Sequence, residues 1–149
     1  MTKTRSEKAQ ALLKAVMEEH IAFNKHLGLK VESFDPEAPK LRFDMRPELV
    51  GNPMRQILHG GVISATLDVA GGFAIMLSLV GDSAVTPTSF PNMGTIDLRV
   101  DYLRPGRGKH FIATARIVRK GSRIAVTHME LHNDADELIA TGGAAYVVG

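Results

Sequence analysis

The sequence predicts an α+β fold: six antiparallel strands curled around one long buried helix, with an amphipathic helix ahead of them. Three observations predict it. The run Val62–Val80 is apolar almost throughout, lies between Gly60-Gly61 and Gly81-Asp82, and carries a single charge, Asp68. Downstream, Ile96, Leu98, Val100 and Tyr102 alternate with Thr95, Asp97, Arg99 and Asp101, the two-residue period of a strand. Consecutive strands are separated by hairpin-length turns. These exclude a doubly wound sheet, whose parallel strands need crossover helices.

From Ser6 to His26, Ala9, Leu12, Leu13, Val16, Met17, Ile21 and Phe23 recur at helical spacing. Ser6 is the expected N-cap and Gly28 the stop, so residues 1–26 read as one helical segment with a single buried stripe. Leu29–Phe34 and Lys40–Met45 read as two short strands around an Asp35-Pro36…Pro39 turn. In the second, Leu41, Phe43 and Met45 alternate with Arg42, Asp44 and Arg46. Pro47–Leu58, with Gly51, Asn52 and Pro53, reads as a loop. Val62–Val80 is long enough to span a membrane. Its Asp68, Ser64, Thr66, Ser78 and Gly71-Gly72, and flanks without clustered Lys or Arg, favour instead the buried helix of a soluble domain. Ser83–Asn92 is a Pro/Ser/Thr-rich loop. After the Thr95–Tyr102 strand, His110–Arg119, Arg123–His132 and Leu138–Val148 complete the sheet. Their turns are Pro105–Gly108, Lys120-Gly121-Ser122 and Asn133–Asp136.

A chain of 149 residues, 44% hydrophobic and 23% charged, has the size and balance of one folded domain, expected over 1–149. Zero cysteines remove disulfides, thiolate metal sites and cysteine nucleophiles, and fit a reducing compartment. The N-terminus has no apolar signal-peptide core, so the cytoplasm is the expected location. A net charge of +2 and an aromatic content of 5% argue against a nucleic-acid partner. No metal site is expected. His128 and His132 fall in a strand, where four residues span roughly 13 Å, too far for one zinc ion. Neither a phosphate-binding GxxxxGK[ST] loop nor a GxSxG nucleophile elbow occurs.

What remains is Leu58-His59-Gly60-Gly61 at the mouth of the central helix, and Asp68 within it. Glycines at a helix start leave backbone N–H donors uncovered, and these can polarise a carbonyl oxygen. Equally, the glycines can serve only to let the sheet pack closely. A carboxylate on an apolar helix is costly unless paired. It is either hydrogen-bonded to Thr66, a strand or a partner subunit, or kept in a cleft as nucleophile or general base. His59 and Asp68 are nine residues apart, which at 100° per residue places them on opposite sides of a helix and roughly 13 Å apart along it. One chain's helix mouth and its own Asp68 therefore do not face one substrate atom, and a twofold dimer with antiparallel central helices is expected to bring them together.

Leu58-His59-Gly60-Gly61-Val62, with Asp68 nine positions after the histidine, resembles the phenylacetate-degradation type of hotdog-fold acyl-CoA thioesterase. Thr95-Ile96-Asp97-Leu98-Arg99-Val100-Asp101-Tyr102-Leu103-Arg104-Pro105 is similar to that family's strand after the central helix. The resemblance runs from about Leu27 onward. It implies the hotdog fold, hydrolysis of acyl-CoA, a homo-oligomer (dimer or tetramer) and no cofactor. It further implies that Asp68 is the nucleophile or activates water, and that the Gly61 N–H holds the thioester oxygen. His59 would orient the loop or assist polarisation, and Thr95 would hold the attacking water. Asn52 matches an asparagine upstream of the histidine, but the intervening segment is one residue longer and has Arg55-Gln56 where a glycine is usual. Arg119, Lys120, Gly121 and Arg123 form a basic turn at a position that lies near coenzyme A in the family, with Arg104 and Arg107 as secondary candidates. Without the resemblance, the same turn reads as a solvated hairpin. Phe73, Met76 and Leu77 are expected to line an acyl channel for medium or long chains. A non-catalytic acyl-CoA-binding module and a hotdog enoyl-thioester hydratase or dehydratase are the alternative functions.

Overall fold

The computed structural model describes residues 2–80 and 92–149. Thr4, not Ser6, caps the first helix. Its hydroxyl accepts the Glu7 N–H while the Glu7 carboxylate accepts the Thr4 N–H, a reciprocal capping box. The expected single helix is broken in two. Helix α1 (Arg5–Ala15) widens into a π turn over Val16–His20, Ile21 is extended, and α2 (Ala22–Leu27) follows. The Met17 carbonyl, displaced by the wide turn, accepts from the buried Asn24 side-chain amide at 3.1 Å. This rotation turns Phe23 out to solvent, against the expected stripe, and buries Leu27. Gly28 ends α2 as foreseen, at φ 74°, a conformation that glycine adopts without penalty.

Strands β1 (Lys30–Ser33) and β2 (Lys40–Asp44) form the first hairpin. The expected loop that follows holds more structure: a 3-10 turn over Pro47–Leu49, then a short separate hairpin of β3 (Val50–Asn52) and β4 (Ile57–Leu58). Helix α3 (Gly60–Val80) starts two residues earlier than its apolar run. Strands β5 (Gly94–Tyr102), β6 (His110–Lys120), β7 (Ile124–Asn133) and β8 (Leu138–Val147) finish the chain. Of the predicted loop Ser83–Asn92, only Asn92 is among the described residues.

All six strands of the main sheet pair antiparallel, in the order β1-β2-β6-β7-β8-β5. The expectation of hairpins throughout is corrected at one place. Strand β5 pairs with β8 at the edge, so Leu103–Lys109 is a crossover that passes over the β7–β8 turn. Leu103 and Arg104 donate to the Ile139 carbonyl, Asn133 Nδ2 donates to the Arg107 carbonyl at 2.8 Å, and the Lys109 N–H donates to Asp134 Oδ1 at 2.8 Å. That backbone donor holds the Asp134 carboxyl below its usual range. Pro105-Gly106-Arg107-Gly108 has the composition of a tight turn, which disguises the crossover.

The sheet accepts the helix because its inner face is cut low. Ala113, Ala115, Ala125, Ala140 and Ala144 are buried on β6, β7 and β8, and leave room for Leu67, Phe73 and Ile75 of α3. The helix is apolar and long enough to cross a membrane, yet 61% of its apolar window is buried within the molecule. Phe34 meets Phe73 edge-on at 5.9 Å and Phe43 stacks on Phe111 at 5.2 Å, carrying the core out to β1 and β2. Leu67 is fully enclosed. Leu67→Ala is expected to lower the unfolding free energy by about 3 kcal/mol, measured as a drop in the urea midpoint at unchanged slope.

Candidate active site

His59 immediately precedes α3 and folds back on it. Its Nδ1 accepts the Gly61 N–H at 2.8 Å, so the imidazole caps the helix and occupies the donor expected to bind a substrate oxygen. The Tyr102 hydroxyl donates to the Gly60 carbonyl at 3.0 Å and ties this end of α3 to the far end of β5.

Two turns along, Asp68 is half-buried instead of fully enclosed. Its partners come from the sheet, while the Thr66 hydroxyl donates to the Val62 carbonyl at 2.7 Å. Thr95 Oγ1 donates to Asp68 Oδ1 at 2.8 Å. The Tyr146 hydroxyl donates to the Asp68 main-chain carbonyl at 2.7 Å and reaches the same Oδ1 at 3.1 Å. Thr95 and Tyr146 are register partners on β5 and β8, so neighbouring strands present both hydroxyls to one carboxylate. Sequence reasoning found Thr95 only through the family resemblance and missed Tyr146. A signal was available: Tyr146 is one of two tyrosines in the chain and lies in the same alternation as Ala140, Gly142 and Ala144, which face the helix.

The approach of Tyr146 requires a gap in the helix. A Cβ on Gly71 would lie 2.4 Å from the Tyr146 hydroxyl and 2.7 Å from Thr127 Oγ1, so only glycine fits there. Burial first, and then the adjacent Asp68 charge, push the Tyr146 hydroxyl far above its ordinary 10.0, and it remains a proton donor across the physiological range.

The expected opposition of the helix mouth and Asp68 needs correction. It counted His59 as helical, but α3 begins at Gly60. Gly61 and Asp68 are seven residues apart, within about 20° of each other around the axis and about 10 Å apart along it. They share a partly exposed stripe with Ser64, Ala65 and Val69. One thioester carbonyl, a few ångströms across, does not bridge that gap within one chain.

Asn52 lies in the β3–β4 hairpin. Its Oδ1 accepts the N–H groups of Met54 (3.1 Å) and Arg55 (3.2 Å), so its carboxamide oxygen closes the turn. The basic turn is at the other end of α3, where Lys120 Nζ donates to Ser78 Oγ at 3.2 Å. Arg119, Lys120 and Arg123 are exposed. The Gly121 N–H is used within the turn, donating to the Ile124 carbonyl at 2.8 Å, so the loop donor expected for phosphate is taken. Arg104 and Arg107 lie at the opposite end of the sheet and donate to the carbonyls of Leu138 (2.8 Å) and Arg55 (2.9 Å). Phe73 and Met76, expected to line an acyl channel, are instead enclosed in the core, and only Leu77 is partly accessible. His128 and His132 lie on β7, on either side of Glu130 in space, at 3.6 and 4.0 Å from its carboxylate.

A six-stranded antiparallel sheet wrapped around one helix that carries a hydroxyl-bound carboxylate defines a hotdog-fold protein of the thioesterase kind. The chain belongs to the thioesterase superfamily, whose family model matches residues 55–140. It is 42% identical over 149 residues to the medium/long-chain acyl-CoA thioesterase YigI of Escherichia coli, covering 97% of this chain and 96% of that one. A crystal structure of a thioesterase-superfamily-related protein from Shewanella oneidensis matches with a TM-score of 0.86 at 39% identity, covering 97% of both chains. A phenylacetic acid degradation-related protein from Ralstonia eutropha shares the fold, with a TM-score of 0.74 at 20% identity over 91% of this chain and 98% of that one.

The raised Tyr146 value has a consequence in alkali. Because the folded value lies above the unfolded one, its contribution is full below about pH 10 and is lost as pH climbs beyond it, where only the unfolded chain ionises. Between about pH 9.5 and 11 the unfolding free energy of the wild type should therefore fall more steeply than that of Tyr146→Phe. Equal slopes in denaturant titrations would contradict a buried, protonated Tyr146.

Proposed function

We propose that this protein hydrolyses acyl-CoA thioesters to the free acid and coenzyme A, acting on medium- or long-chain acyl groups. The observation that carries this reading is Asp68: a carboxylate on an otherwise apolar core helix, partly open to solvent and held by a hydroxyl from the sheet. The superfamily and the activity in the name of the Escherichia coli relative support it.

In the proposed reaction Asp68 is nucleophile or general base. As a base it takes a proton from water while the water oxygen adds to the thioester carbon. The C–S bond then breaks, and the coenzyme A thiolate leaves with the proton. Thr95, whose hydroxyl donates a hydrogen bond to Asp68, retains lone pairs that accept from that water. The Gly61 N–H, at the positive end of α3, polarises the thioester carbonyl. His59 must then swing off that N–H, and its imidazole becomes a second polar group at the carbonyl. Asn52 shapes the loop that carries His59.

The roughly 10 Å between Gly61 and Asp68 is the reason to propose a homo-oligomer. In a twofold dimer with antiparallel central helices, Asp68 of one chain faces the helix mouth of the other, making two equivalent sites. The large apolar residues exposed on and beside edge strand β5, Ile96, Tyr102 and Leu103, suit such an interface. Arg119, Lys120 and Arg123 are proposed to bind the phosphates of coenzyme A, whose charge matches theirs. The cysteine-free composition fits a cytoplasmic location.

Two experiments test this. Release of free coenzyme A from a panel of acyl-CoAs should fall roughly a thousand-fold in Asp68→Asn, with fold and oligomer intact. Equal rates would remove Asp68 from the chemistry. Binding without turnover in the wild type would indicate a sensor module, and hydration of an enoyl-CoA without release of coenzyme A would indicate a hydratase. Separately, Arg123→Ala should raise KM about ten-fold for acyl-CoA and leave it unchanged for a short thioester lacking the nucleotide. Equal losses on both substrates would undo the phosphate assignment.

A further inference from the structure

We propose that Tyr146 is a positioning residue of the site: with Thr95 it anchors Asp68 Oδ1, so that Oδ2 is the oxygen that acts on the thioester or its water. This inference rests on the reading of Asp68 as the reacting carboxylate. A carboxylate that can turn about its Cβ–Cγ bond offers either oxygen, in many orientations, to its target. Here Oδ1 accepts the Thr95 hydroxyl at 2.8 Å, and the Tyr146 hydroxyl of the neighbouring strand lies 3.1 Å from the same oxygen. An ionised carboxylate oxygen has about two lone-pair directions, and the two hydroxyls beside Oδ1 crowd it against a third partner. Among the described residues no side chain donates to Oδ2.

Tyr146 does more than add a second donor. Its single proton is shared between the main-chain carbonyl of Asp68 at 2.7 Å, which takes the larger part, and Oδ1 at 3.1 Å, so one rigid, buried phenol sits against backbone and side chain of the same residue and limits its rotamers. The helix concedes a side chain at Gly71 to admit that hydroxyl. A buried tyrosine needs one acceptor for its hydroxyl, and the main-chain carbonyl supplies it; the approach to Oδ1 is in addition. Because burial keeps the phenol protonated, the anchor is a fixed donor and does not compete with Asp68 for protons. Reaction rates depend steeply on such placement, since a displacement of about 1 Å in a reacting group can cost 10²-fold.

The test uses the full chain and steady-state kinetics on the best acyl-CoA substrate. Tyr146→Phe removes only the hydroxyl and should lower kcat at least ten-fold while KM stays within two-fold. Gly71→Ala keeps the hydroxyl but pushes it away from Asp68, and should give the same split if it folds; if it does not, Tyr146→Phe alone decides. In a crystal structure of Tyr146→Phe, the Asp68 carboxylate should have rotated away from its wild-type plane. Wild-type kcat in Tyr146→Phe, in a protein that Asp68→Asn inactivates, would overturn the positioning role and leave the thioesterase reading standing. A loss that tracks the fraction of folded protein, with kcat per folded chain unchanged, would reduce Tyr146 to a structural tie and overturn it as well. No acyl-CoA turnover by the wild type would remove both readings together.

Discussion

A single carboxylate on the helix that forms the core sets the terms for the rest of the molecule. An ionised group among apolar side chains needs donors, and α3's own main-chain N–H groups are committed to the helix. The donors therefore come from the sheet, which must approach closely at that point. The glycine at 71 and the pairing of Thr95 with Tyr146 serve that approach. Elsewhere the same helix carries large residues and the sheet accommodates them in ordinary core packing.

The two ends of α3 do different work. At its start, His59 takes up the Gly61 N–H; near its end, Lys120 from the basic turn reaches Ser78. Asp68 lies between them, on the stripe it shares with Gly61. Each chain thus holds every proposed element of the site but spreads them along its length. A second, oppositely directed copy would restore proximity.

Much of this was legible in the residues. The apolar run around Asp68 specified the central helix, and period-two alternation specified the four long strands to within two residues. The reason is physical: burial on one face imposes a repeat that composition alone can report. What the residues do not show depends on non-local pairing or on single hydrogen bonds. The π turn at Val16–His20 hangs on the Asn24 amide meeting a displaced carbonyl, and nothing in the apolar spacing signals it. The crossover at Leu103–Lys109 has the composition of a hairpin turn and differs only in which strand receives the chain. Asp68 stood out as a charge among apolar neighbours, whereas Tyr146 sat in an apolar alternation as one more large residue. The Gly61 donor is legible in the Gly60-Gly61 pair, but that His59 occupies it depends on a side-chain torsion, which spacing does not encode.

The sheet order places the two anchors of Asp68 in unequal positions. Tyr146 belongs to β8, which is flanked on both sides, but Thr95 lies near the start of β5, which has a neighbour on one side only. Edge strands detach at lower free energy than interior ones. Were the first residues of β5 to lift, Thr95 would leave Asp68 while the helix, Tyr146 and the five remaining strands stayed assembled. The Thr95–Asp68 contact is thereby less durable than the fold that carries it, and anything that covers the β5 edge guards that contact before it guards the structure.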